Sequence, residues 1–278
     1  MILLTRKVEF SAAHSYHVPA WDEKKNKEVF GLCNNPNGHG HDYTLEVTVK
    51  GNLNPKSGIV VNITDIDRIV KGVVLEELDG KFLNREHSFF KEQIPTTENI
   101  VSYLWNELRG KFDECELQSI KLHENPFLFS QKEEKSMIQL TRKFHFSAAH
   151  RLHSDQLSDE ENKMIFGKCN NPHGHGHNYI LEVTVEGEAD PVTGMIINLA
   201  ELDEIVDQKI LQKFDHKHLN LDTEEFRGLN PTAEVMTVVF WELLQPSLPS
   251  LSKIGLWETA KNYFEYHGPE KKVKNNIY

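Results

Sequence analysis

Two histidine-bearing motifs occur twice in this chain at a fixed offset. Phe10-Ser11-Ala12-Ala13-His14 returns as Phe146-Ser147-Ala148-Ala149-His150. Cys33-Asn34-Asn35-Pro36 leads into His39-Gly40-His41, and Cys169-Asn170-Asn171-Pro172 leads into His175-Gly176-His177, again 136 residues later. Alternate residues of a strand project to one face, so a His-x-His pair presents two imidazoles side by side. A third imidazole from a neighbouring strand, His14 or His150, completes three legs of a tetrahedron. Three neutral nitrogens leave a zinc ion one open position, the arrangement of catalytic rather than structural sites. One His-x-His is weak evidence, since cores and surfaces often carry that spacing. Two copies in one frame, each with an upstream histidine, point to a metal centre in each half.

The other chemistry-bearing residues each admit two readings. As a fourth ligand, Cys33 or Cys169 closes the site and makes it structural. One shell out, the same thiol stands beside a metal-bound substrate and can transfer a proton. Asp215-His216 can act as a carboxylate orienting an imidazole that takes a proton from a thiol, or as a polar pair capping a helix end. Glu258, and Glu124 in the first half, sit near the end of an apolar strand as solvated groups or as anchors for a ring with adjacent N–H donors. Thr232 and Glu234 fall at a helix start, where capping is the first reading and ligand contact the second.

The elements that position these groups follow from periodicity. Tyr43, Leu45, Val47 and Val49 alternate with polar residues, as do Tyr179, Leu181, Val183 and Val185, which predicts a strand after each His-Gly-His. An extended segment precedes each first histidine. A short extended piece at Ile59 to Asn62, or Met195 to Asn198, is expected to continue the ladder. Two helices follow, one from near Thr64 or Ala200 to near Asp79 or Asp215, and one from Thr96 or Thr232 that carries Trp105 or Trp241. Strands around Ile120–Glu124 and Ile254–Glu258, and a last one clearest at Asn262–Tyr266, close each half. The expected fold class is α+β: two tandem domains, each a four-stranded antiparallel sheet with two helices on one face, in the order ββααββ.

From Thr5 to Asp67, against Thr141 to Asp203, roughly half the aligned positions are identical, so the 278 residues divide into two domains. The expected boundaries are 1–129 and 138–278, joined by a short charged linker at 130–137. A net charge of −11 argues against a general nucleic-acid or anionic-membrane surface. Three cysteines make no disulfide framework, and Cys115 has no counterpart in the second half. No signal-peptide core or membrane-length apolar run is present in the sequence, so the expected location is cytoplasmic.

Taken together, these motifs resemble the 6-pyruvoyl tetrahydropterin synthase family. The second half resembles the animal-type enzyme from Phe146–His153 through Phe166-Gly167-Lys168-Cys169-Asn170-Asn171-Pro172 and Phe214-Asp215-His216-Lys217 to Glu258. The resemblance implies tandem T-folds and a Zn2+ in each, held by His150, His175 and His177 and by His14, His39 and His41. It implies a catalytic Cys169 acting with Asp215 and His216, and a pterin anchored by Glu258, with Thr232 and Glu234 nearby and Glu124 as the first-half anchor. The implied reaction converts 7,8-dihydroneopterin triphosphate to 6-pyruvoyl tetrahydropterin, with loss of triphosphate. Five residues separate each cysteine from its His-Gly-His, as in the animal-type enzyme; the related 6-carboxy-tetrahydropterin synthases typically have three. A carboxy-forming synthase and a non-catalytic pterin-binding regulatory protein are the alternatives.

The first half departs from the pattern. It keeps Cys33 and Asp79 but has Gly80 in place of His216, Ser15 in place of Arg151 and Leu32 in place of Lys168. Arg151 and Lys168 are candidates for the triphosphate. The first half is therefore expected to bind but turn over poorly, and the second to be active. That assignment assumes that like domains meet across an oligomer interface, as a trimer of tandem chains would allow. If unlike domains meet, Cys33 gains Asp215-His216 and Cys169 faces Asp79-Gly80.

Overall fold

A computed structural model describes residues 1–270. The chain forms two compact units that do not coincide with the two sequence repeats. The first unit takes Met1–Arg142 together with Val185–Leu202, and the second takes Lys143–Thr184 and the residues from Asp203 on.

The first unit begins with β1 (Ile2–His14), α1 (Glu23–Phe30) and β2 (His39–Gly51). Next come α2 (Ile63–Glu77), two short helices α3 (Leu83–Glu86) and α4 (Ser88–Glu92), and α5 (Thr97–Leu108). Strands β3 (Glu116–Asn125) and β4 (Leu128–Glu133) follow, and then the start of β5 (Ile138–His150). Successive strands pair antiparallel, with Phe10 opposite Tyr43, Leu45 opposite Leu122, Leu122 opposite Ser130, and Ser130 opposite Leu140. The inward residues of β1, β2 and β3 meet Ile66, Val70 and Val74 of α2 and Ile100, Val101 and Leu104 of α5 in one core. Each such side chain, fully buried, contributes about 1.5–3 kcal/mol. Both long helices start where a side chain accepts an otherwise unpaired amide: Asn62 from Thr64, and Thr96 from Asn99.

In the second unit the strand order β5-β6-β8-β9 repeats β1-β2-β3-β4. Its further elements are α6 (Asp159–Phe166), β6 (His175–Gly187), α7 (Leu199–Val206), a π-helical turn (Asp207–Leu211) and α8 (Gln212–Phe214). Then come β7 (Lys217–His218), α9 (Leu219–Asp222), α10 (Ala233–Leu244), β8 (Leu251–Thr259) and β9 (Asn262–Tyr266). Two-residue β7 runs parallel to β5, Ala148 facing Lys217. Ser158 and Glu161 cap α6 reciprocally.

Three sequence expectations need correcting. Neither Ile59–Asn62 nor Met195–Asn198 is a strand: Asn54 N–H bonds the Ile59 carbonyl and Asp190 N–H the Met195 carbonyl, folding each segment into a turn-rich loop. Within the expected linker, Ser130–Glu133 belongs to β4, because β5 supplies a pairing partner that local charge does not reveal. The order ββααββ omits α1 and α6, which the polar segments before each cysteine form on strong caps at Asp22 and Ser158, and the short helices α3, α4 and α9.

Candidate metal centres and proton relay

The β1–β2 register sets His14 opposite His39 and Ala12 opposite His41, so three imidazoles converge at the end of the ladder. In each repeat the ligand-capable atoms of the three histidines lie within 4.8 Å of one another. His14 Nε2 stands 3.1 Å from His39 Nε2, and His150 Nε2 stands 3.3 Å from His175 Nε2. His14 Nδ1 donates to the Pro95 carbonyl at 3.0 Å, and His150 Nδ1 to that of Pro231 at 2.8 Å. This fixes the tautomer, leaving an Nε2 lone pair aimed inward in both sites. His41 Nε2 and His177 Nε2 are buried without a hydrogen-bond partner among the described residues. Facing lone pairs and orphaned nitrogens fit a cation held among the rings.

Burial holds all six histidines below their ordinary pKa, His14 to about 3, which keeps them in the neutral, ligating form. A glutamate borders each cluster. Glu124 Oε1 lies 3.6 Å from His41 Nε2, and Glu258 Oε1 lies 3.9 Å from His177 Nε2 and 4.0 Å from His150 Nε2. Burial, with Glu98 adding to it, pushes the Glu124 carboxyl up to about 7.

The thiols are half-buried in the short 3₁₀ turns after α1 and α6. Burial, reinforced by Glu124, raises Cys33 to about 11. Burial and Glu258 raise Cys169 too, while Lys168 pulls it back. Among the described residues neither thiol makes a hydrogen bond. Cys115 is buried in the first unit's core.

Asp215 and His216 do form a pair: Asp215 Oδ1 is 2.9 Å from His216 Nδ1 and accepts the Ser147 N–H at 2.8 Å. Burial pushes the Asp215 carboxyl up, but these hydrogen bonds outweigh it and hold it below its usual value. His216 has φ 58°, the sole left-handed non-glycine residue among those described, and Gly80 has φ 69° at the same place. Left-handed backbone costs an ordinary side chain about 1–2 kcal/mol, so the second repeat retains an imidazole where glycine is the relaxed choice.

Cys169 is not among the residues that line the cavity of His216. His216 lines a shallow cavity of ≈ 460 Å³ with Ser147, Ala148, Ala149, Gly176, His177 and Asn178. Ser147, Ala149, Gly176 and Asn178 alternate along β5 and β6 with His150, His175 and His177, placing them on the opposite face from the triad. By strand alternation the Asp215–His216 pair lies beside the face opposite the triad, with His177 of the triad also bordering its cavity.

The regions around Thr96–Glu98 and Thr232–Glu234 differ in cover. In the first unit Thr96 Oγ1 donates to the Gly194 carbonyl at 2.6 Å, and Glu98 accepts the Ile196 N–H at 3.1 Å. Glu98 is 3% exposed, and burial raises its pKa. Thr232 caps α10 through the Val235 N–H, and Glu234 is exposed. Arg151 reaches His153 at 3.3 Å with its Nε buried and unpartnered, whereas Lys168 is exposed. Sequence reasoning missed the covering segment Gly194–Asn198 and the orienting carbonyls of Pro95 and Pro231; the recurrence of that proline before each second helix was the available signal.

The fold and the paired histidine clusters define an α+β protein that carries a metal-binding arrangement twice. A profile of the family described as 6-pyruvoyl tetrahydropterin synthase matches residues 3–134 and again 139–269, so the chain belongs to that family. Human 6-pyruvoyl tetrahydrobiopterin synthase is 49% identical over 132 residues, covering 47% of this chain and 91% of that protein. The Drosophila melanogaster enzyme of the same name is 47% identical over 133 residues, covering 47% and 79%. The solved Caenorhabditis elegans 6-pyruvoyl tetrahydropterin synthase shares 42% identity, covering 49% of this chain and all of that one, with a TM-score of 0.46. The chain is a lyase of the 6-pyruvoyl tetrahydropterin synthase type.

Proposed function

We propose that this chain is a zinc-dependent lyase converting 7,8-dihydroneopterin triphosphate to 6-pyruvoyl tetrahydropterin with release of triphosphate, in the cytoplasm. Zinc, held by His14, His39 and His41 and by His150, His175 and His177, would supply a Lewis acid that lowers the pKa of the substrate's side-chain hydroxyls. Glu124 and Glu258 would accept hydrogen bonds from the N–H donors of the pterin ring. Thr96 and Glu98, or Thr232 and Glu234, would border the same ring. Arg151 and Lys168 would meet the triphosphate of a molecule bound at the second-repeat centre. A thiol would move a proton at the side chain, relayed through His216 Nε2, with Asp215 orienting that ring through Nδ1.

One observation carries this reading: His216 is kept in a left-handed conformation and paired with Asp215, where the other repeat has relaxed to Gly80. Because the pair lies beside the strand face opposite His150 and His175, it would serve a neighbouring domain. Like repeats meeting would give it Cys169; unlike repeats meeting would give it Cys33. In the first unit a second-repeat segment, Gly194–Asn198, sits on first-repeat Thr96 and Glu98, which favours the unlike arrangement and Cys33. The other centre would then bind zinc and pterin without a base. The activity is tested by giving zinc-loaded protein 7,8-dihydroneopterin triphosphate and weighing the product. The pyruvoyl mass with free triphosphate is expected; binding without turnover, or a product two carbons lighter, would refute it.

A further inference from the structure

We propose that the first unit binds a polyphosphate-bearing small molecule on Lys27, Arg85 and Lys91, in a cavity beside the turn that carries Cys33. The cavity measures ≈ 910 Å³, inside the range of roughly 300–1,000 Å³ typical of small-molecule sites. One wall is α1 with the turn after it, and the other is α3 with α4. Leu32 and Asn34 line the cavity, but Cys33 between them does not, and neither do Glu124, His14, His39 and His41. The site is therefore separate from the histidine triad and does not rest on the proposed reaction.

The charge of this cavity runs against that of the chain. Asp and Glu outnumber Lys and Arg by 42 to 31, yet here three cations meet a single carboxylate, Glu23. Lys27 and Lys91 form no ion pair among the described residues. Arg85 is held in place by its own contacts. One guanidinium nitrogen donates to the Pro36 carbonyl at 3.0 Å, and the group lies 4.2 Å over the Phe82 ring. A fixed guanidinium with N–H groups to spare suits phosphate oxygens, which accept charge-assisted bonds in pairs. Several unneutralised cations around one space favour an anion of several charges over a single phosphate.

The second repeat shows how the space is opened. The frame is common to both repeats: Ser15 N–H donates to Asn84 Oδ1 at 2.8 Å, and Arg151 N–H to Asn220 Oδ1 at 2.8 Å. On that frame the two side chains go different ways. Arg151 extends to His153, 3.3 Å away. Ser15 instead folds back on the Asn35 carbonyl at 2.7 Å, leaving open the space beside His17, the counterpart of His153. The cations of the opposite wall differ as well. Leu221 stands at the position of Arg85 and is 78% exposed. Arg227, at the position of Lys91, is tied to Glu224, where the first repeat has Ser88. The first repeat lacks Arg151 and Lys168 and yet offers an anion a cavity of its own, with its cations on other elements.

Titration calorimetry of the zinc-loaded protein with sodium tripolyphosphate, magnesium-free ATP and inorganic phosphate tests the site. Tripolyphosphate should bind at least about tenfold more tightly than inorganic phosphate, because it reaches more than one cation. Arg85→Leu, Lys91→Gln and Lys27→Gln change exposed positions, so circular dichroism should show all three folded. Each should weaken tripolyphosphate binding, Arg85→Leu most, by about tenfold or more. ATP bound more tightly than tripolyphosphate would support the site and seat a ring against exposed Leu32; equal binding would support it with the phosphate chain as the whole ligand. The binding that Arg85→Leu weakens should survive Lys168→Gln. No binding, binding no tighter than that of inorganic phosphate, binding that Arg85→Leu leaves unchanged, or binding lost in Lys168→Gln would each overturn the proposal. Failure to turn over 7,8-dihydroneopterin triphosphate would count against the proposed reaction and not against this site.

Discussion

The two repeats carry nearly the same histidine triad and differ in what stands around it. Three imidazoles, a carbonyl-oriented first histidine and a neighbouring glutamate recur on the same strand positions. What diverges lies at the rim. Position 80 is glycine where position 216 is histidine, and Glu98 lies under a covering loop where Glu234 does not. The lesson is that the histidine geometry is set by strand register within a repeat, while the cover over Thr96 and Glu98 comes from the other repeat. The register can therefore be kept in both repeats while the residues at the rim diverge.

The sharpest way to break this comparison is to make the second repeat like the first. His216→Gly should lower kcat by about 10²–10⁴, the usual worth of a positioned acid–base group, with KM little changed. Stopped-flow or single-turnover kinetics on zinc-loaded protein would show it. A variant with full kcat would mean that His216 is only a surface residue.

The contrast in cover makes a pH prediction. Glu98 has a raised folded pKa, from burial first, so its contribution to stability is fully present below the unfolded glutamate value of about 4.3 and is lost as pH rises through the folded pKa. Glu98→Gln removes that loss. The variant should gain stability relative to the wild type as pH rises across this window, measured by denaturant midpoints at several pH values. Glu234→Gln, at an exposed position, should track the wild type throughout. Equal behaviour of the two would contradict the covered-versus-open distinction.

The smallest effect concerns strain. His216→Gly relieves a left-handed side chain but adds glycine's unfolded-state freedom and loses an exposed bond to Asp215. Its stability should stay within about 1 kcal/mol of the wild type even as activity falls. A large loss of stability would make His216 structural.

Much of the site was legible in the sequence because its period is local. His39 and His41 share a face by strand alternation, and Thr96 and Thr232 head their helices by capping chemistry. The rest depended on residues far apart in the chain. Glu98 reads as an ordinary helix-start acid, and only the Ile196 amide, about a hundred positions away, makes it buried. Ser130–Glu133 reads as a charged linker until β5 is beside it. The place of His216 beside Ser147 follows from its N–H bonding the Ser147 carbonyl, a contact that no local spacing encodes.

The assignment of the working thiol tests the account most directly. Turnover of 7,8-dihydroneopterin triphosphate should be measured for Cys33→Ala and Cys169→Ala, each zinc-loaded and at matched assembly state. If unlike repeats build the competent site, Cys33→Ala loses at least about a hundredfold in kcat while Cys169→Ala keeps nearly all of it. Full activity in Cys33→Ala with loss in Cys169→Ala would contradict the account and return the chemistry to a site where like repeats meet.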